Sequence, residues 1–128
     1  MGKIIGQVSL WLAKVSDQES LNIFLETAYL EDETYQNSIF GNYFETGYYN
    51  ESFREADILE KYSNNLGYLI EGFSYDEVII PRFRKIVLEL DNNFNTVIML
   101  YNYHYHGRLK VYSSQYIYCQ FLSCVSYI

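Results

Sequence analysis

The sequence predicts an α+β domain: a largely antiparallel sheet with helices packed on one of its faces. Three observations carry this expectation. The chain opens on an alternating apolar run, two capping-box signatures start amphipathic segments further along, and the last third is rich in β-branched and aromatic residues. With 128 residues, 49% of them hydrophobic, one core can cover about two-thirds of the surface that the unfolded chain exposes, so residues 1–128 are read as a single domain.

Taken in order, Lys3–Val15 is expected as the first strand, with Val8, Leu10 and Leu12 on one face and Ser9, Trp11 and Ala13 on the other. Trp11 is placed in a second core layer, because a large indole seldom stays exposed without a partner. Ser16 opens a helix through a capping box with Glu19, ahead of Leu21, Phe24, Leu25, Ala28 and Tyr29 at helical spacing. The run Glu31-Asp32-Glu33 follows that helix, where the dipole favours cations, and reads as a solvated loop. Residues 38–49 are aromatic and punctuated by Gly41 and Gly47, which predicts short strands or aromatic loops. The stripe Phe53, Ala56, Leu59 and Tyr62 predicts a second helix over residues 52–62. Residues 66–73 are apolar with two glycines and fit neither period. Ser74 and Glu77 make another capping box before a helix from Tyr75 to about Leu90, irregular in its first half because Pro81 removes a hydrogen bond. Residues 96–105 and 109–118 read as an antiparallel hairpin around His106-Gly107-Arg108, and the tail to Ile128 as one more strand.

The net charge of −7 is unevenly placed, since residues 1–64 hold eleven acids against four bases and residues 65–128 hold five of each. Nucleic acids and anionic membranes are bound by clustered Lys and Arg that release counterions, so this distribution argues against both. A basic protein is the better electrostatic match. The apolar runs fall short of the roughly 20 residues that a membrane-spanning helix requires. The first run is broken by Gln7 and Ser9 and passes into Ser16-Asp17-Gln18-Glu19 with no small-residue cleavage site, which disfavours a signal peptide. Met1-Gly2 is not followed by the Ser or Thr at position 6 that myristoylation wants, and a cytosolic, unmodified chain is expected. Cys119 and Cys124 match neither a CxxC motif nor a disulfide framework and read as buried or idle thiols.

The most enzyme-like feature is His104-Tyr105-His106, because alternate strand residues share a face where two imidazoles hold a metal if a third ligand joins them. Cys119 or a carboxylate is the available third donor, yet no metal-ligand spacing is present. No nucleophile elbow, P-loop or dinucleotide fingerprint appears either, so neither a metal nor a cofactor is expected. Pairs among Glu31, Asp32, Glu33, Glu51 and Glu55 have the chemistry of acid–base catalysis, but such acids are common on any surface. A non-catalytic binding protein has more behind it: the charge asymmetry, and fifteen tyrosines of the kind that favour half-buried sheets and interfaces.

Val8-Ser9-Leu10-Trp11-Leu12-Ala13 followed by a capped helix, Ser38-Ile39-Phe40, and Tyr48-Tyr49-Asn50-Glu51-Ser52-Phe53-Arg54-Glu55-Ala56 resemble, in order and spacing, the elements of the immunity protein 22 family. Leu69-Ile70-Glu71-Gly72-Phe73-Ser74-Tyr75 and Val97-Ile98-Met99-Leu100-Tyr101 extend the likeness, which runs from about residue 7 to 105. Ala13 stands where that pattern has glycine and Asn50 where it has aspartate. The resemblance implies a small cytosolic protein that binds and blocks a cognate polymorphic toxin. An acidic, aromatic surface suits a basic, nuclease-type toxin groove, and Glu31, Asp32, Glu33, Glu45, Tyr48, Tyr49, Glu51 and Glu55 are expected to form it. The alternative is an interaction module with a different protein partner. Oligomeric state is not specified by the sequence.

Overall fold

The opening run folds as the strand β1 (Lys3–Val15) and becomes the middle of the sheet. The computed structural model describes residues 3–87 and 89–128; Met1, Gly2 and Leu88, and with them the acylation reading and part of the helix expected to reach Leu90, lie outside the described residues. In order along the five-stranded sheet stand β4 (Arg54–Ser63), β5 (Phe94–Tyr103), β1, β7 (Ile117–Ser126) and β6 (Val111–Ser113), each antiparallel to its neighbour.

Alternation along β1 divides the core in two. Trp11, Ala13 and Val15, with Ile98 and Leu100 of β5, face α1 (Gln18–Leu25) and α2 (Ile39–Phe44). Val8, Leu10 and Leu12, with Val97 and Met99, face α3 (Leu66–Ile70) and α4 (Asp76–Ile86). The α+β class therefore holds, with the helices divided between both faces of the sheet. The reason is that β1 and β5 are apolar on both sides and need cover on both, as interior strands do. Trp11 is fully buried, as expected.

Several elements differ from the sequence reading. Asp17, not Ser16, caps α1, its carboxylate accepting the Ser20 N–H at 2.8 Å, and the helix stops at Leu25. Ala28 and Tyr29 belong instead to β2 (Ala28–Tyr29), which pairs with β3 (Tyr35–Gln36). Residues 39–44 are helical because Ser38 caps the Gly41 N–H at 2.9 Å and Phe40 and Phe44, one turn apart, both pack on Trp11. Gly41 is required there, since a Cβ would run into the Asn37 carboxamide, which itself bonds the Ser38 N–H and the Gly47 carbonyl.

The expected helix over residues 52–62 is a short 3₁₀ turn, Glu51–Phe53, followed by β4. Residues 54–59 carry a period of two as well as a helical stripe, and β5, apolar on both faces, needs a partner along that edge. Ala56 and Ile58 accordingly pack toward one core and Leu59 toward the other. At α4, Ser74 is not the cap: its N–H and hydroxyl both bond Glu55, and Tyr75 enters the helix in left-handed conformation. Pro81 lies within the helix, which continues to Ile86. Finally, β5 does not form a hairpin with the next segment, because β1 occupies that edge of it. β6 turns back on β7 instead, through a Ser114–Ile117 turn.

Candidate functional site

The acidic run predicted as a loop is the tip of a β-hairpin. Leu30 and Glu33 close its turn at 2.8 Å, and Leu30 bonds Thr34 at 2.9 Å, so Glu31, Asp32 and Glu33 project between β2 and β3. Asp32 stabilises the turn by accepting the Thr34 N–H at 3.0 Å, and those hydrogen bonds hold its carboxyl below the usual range. Glu33 sits in left-handed conformation at φ 64°, the position that glycine normally fills in a three-residue hairpin loop. Glu45 does the same at the end of α2, with φ 55°. Two of the acids singled out from sequence thus occupy backbone positions that penalise any side chain.

Tyrosines back the hairpin. Tyr29 and Tyr35 meet edge to face at 5.6 Å, and Tyr35 meets Tyr48 at 5.0 Å. Tyr48 is 62% exposed and Tyr29 is exposed as well, so the two ends of the row are displayed while Tyr35 between them is half-buried. Burial, and then the negative potential of Tyr49 and Glu51, push Tyr35 up to about 12. The Tyr48 hydroxyl, hydrogen-bonding to Tyr29, raises that group as well. Sequence reasoning missed Tyr29 and Tyr35, assigning the first to a helix. The signal was the symmetry of Ala28-Tyr29 and Tyr35-Gln36 about a turn-forming Asp32.

The hairpin acids, Tyr48 and Glu51 stay exposed, and both Tyr48 and Glu51 act electrostatically on Tyr35. Tyr49 does not belong to the displayed surface: it is 6% exposed, and its hydroxyl accepts from the Arg54 guanidinium at 3.0 Å. Tyr49 and Tyr48 line a cavity of about 170 Å³ that reaches Tyr101 and Tyr103 of β5. Glu55 lies on the opposite face of β4, where it accepts hydrogen bonds from Ser74 and, at 3.1 Å, from the Tyr101 hydroxyl. That carboxylate and burial together push Tyr101 far up, burial being the larger cause. Glu45 is separate again, acting on Tyr105. The expected eight-residue surface therefore resolves into a five-residue patch on the hairpin side, the buried Tyr49, and two outlying acids, Glu45 and Glu55.

The histidines do not form the three-ligand site considered from sequence. His104 Nδ1 is 3.2 Å from the Cys124 thiol, while Cys119 is buried in the core, its thiol pushed up by burial. Among the described residues no group of three or more His, Cys, Asp and Glu is placed to hold a metal. Nor is any helix among them long and apolar enough to cross a membrane.

No curated protein and no solved structure matches this chain. The family model described as Immunity protein 22 matches residues 8–127, beyond β5 and through β7. Because that match takes in nearly the whole domain, including the residues of both cores and of the β2–β3 hairpin, the chain belongs to the Immunity protein 22 family.

Proposed function

We propose that this immunity protein neutralises a cognate polymorphic toxin in the cytoplasm by docking an acidic, tyrosine-backed surface on a basic, nuclease-type toxin domain. Membership of an immunity-protein family gives a toxin as the general class of partner, and such proteins act as inhibitors that bind. The observation that carries the finer reading is the hairpin, which holds Glu31, Asp32 and Glu33 in solvent beside the exposed Tyr29 and Tyr48 and near Glu51. Clustered acids speed the encounter with a basic groove, and tyrosines supply rigid contact area at low entropic cost. Glu33 supports the reading from another side, because a side chain at a left-handed position costs the fold and is better explained by a use outside it.

The test is charge reversal of Glu31, Glu33 and Glu51 to Lys, which spares Asp32 and its turn. Association with the toxin domain encoded next to this chain's gene should slow at least tenfold, and protection of cells expressing that toxin should fall. Undiminished protection by a folded triple variant removes the hairpin from the interface.

A further inference from the structure

Helix α1 carries Glu19 and Ile23 on one outward face, and Glu26, the residue that caps its end, follows them three positions on, since residues three and four apart share a helix face. Ile23 is 53% exposed, and Ile39, which opens α2, is 44% exposed. Both line two grooves. One, of about 510 Å³, runs toward β6 and β7 and includes Tyr116, 57% exposed. The other, of about 280 Å³, runs toward the β2–β3 hairpin. Every charged residue described around these two grooves is an acid: Asp17 and Glu19 at one end, Glu26 at the other. A third groove, on the far side of α1, shares Glu19, Ile23 and Glu26 and reaches Glu51, with Arg54 turned inward onto the Leu25 carbonyl.

The fold gains little from these choices. The exposed isoleucine pair joins neither core, and Glu26 stands at the C-terminal end of α1, where the dipole disfavours an acid and the cation at hand, Arg54, is already engaged on the Leu25 carbonyl. A partner that covers the isoleucines and pairs the acids accounts for both.

We propose that the Ile23–Ile39 saddle is a docking site for a basic protein surface that seats an apolar side chain between the two isoleucines and sets cations against Glu19 and Glu26. Seven residue steps along α1 and its cap separate those acids, so the cations stand about 10 Å apart. The inference rests on the neutralising reading and takes the toxin domain as occupant, extending its contact from the hairpin past Glu51 onto α1. A second copy of this chain is the poorer occupant, because a two-fold contact presents the same acidic patch twice.

The experiment measures binding of the adjacent-gene toxin domain to the full chain and to three variants. Ile23→Gln with Ile39→Gln should weaken binding at least tenfold at an unchanged melting temperature. Glu19→Lys with Glu26→Lys should slow association several-fold and flatten its salt dependence, and keeps the question answerable if the isoleucine variant does not fold. Glu71→Lys, on the far face, should bind as the unchanged chain does; an equal loss there would reduce the effect to net charge and overturn the assignment. Affinity within twofold for both saddle variants, with hairpin reversals still damaging, overturns the saddle and leaves the neutralising reading standing. No binding by the unchanged chain overturns both. Sedimentation showing a dimer that the isoleucine variant abolishes would assign the saddle to self-association and contradict the proposal.

Discussion

Trp11 shows at residue scale how the core is specified. Its indole is bracketed by Phe40, Phe44, Tyr105 and Phe121, with ring centroids 4.9–5.7 Å away, and its Nε1 has no hydrogen-bond acceptor among the described residues. Trp11→Ala should cost about 3–5 kcal/mol through lost burial and a cavity. Trp11→Phe also removes the unpaired N–H, whose desolvation is itself unfavourable, so it should cost no more than about 2 kcal/mol. Denaturant melts of the two variants check the ordering, and an equal loss for both would contradict it. Glu33→Gly relieves left-handed strain that exceeds the extra chain entropy of glycine, and should raise stability by about 0.5 kcal/mol while weakening toxin binding.

The tyrosines give a pH prediction with a definite sign. Tyr35 and Tyr103 are both pushed up to about 12, burial being the first cause in each. Because the unfolded chain ionises tyrosine near about 10, the stability that these groups contribute is complete below that pH and is lost as pH rises toward 12. Tyrosinate absorbance should show a late step near pH 12 that Tyr35→Phe diminishes, with the melting temperature falling over the same window. A single step completed near about pH 10 would contradict the burial of Tyr103 and the half-burial of Tyr35.

At the scale of elements, legibility followed from whether local chemistry and tertiary need agreed. β1 was readable because alternation and burial coincide in it, and α4 because Ile79 and Phe83 keep a helical stripe across Pro81. β4 was not, because its residues satisfy both periods and the deciding interaction is the edge of β5, about forty residues away. α2 was misread because its aromatics and glycine look strand-like, while the determinant is the pairing of Phe40 and Phe44 against Trp11. The same misreadings scattered the candidate site: with a helix over residues 52–62, Glu51 and Glu55 would share a face, whereas the 3₁₀ turn and strand send them to different sides. The capping role of Ser38 is directly testable. Ser38→Ala should destabilise by about 1 kcal/mol, and a change under a few tenths in a denaturant melt would show that Asn37 and Thr46 suffice to hold α2.

For the whole molecule, the distribution of charge tells more than its total. The excess acid lies in the half of the chain that builds α1, the hairpin and β4, so the field is concentrated around the hairpin and the α1 saddle. A surface of this kind acts chiefly on the rate of encounter, which salt screens, while apolar anchors act on the rate of release, which salt affects little.

The most direct measurement is the kinetics of binding between this protein and the toxin domain encoded beside it, followed at low and at high salt. The account predicts tight binding whose association rate falls steeply with salt while dissociation changes little. Tight binding with no salt dependence in association would contradict the acidic docking surface, and no binding in either buffer would contradict the neutralising role for that toxin.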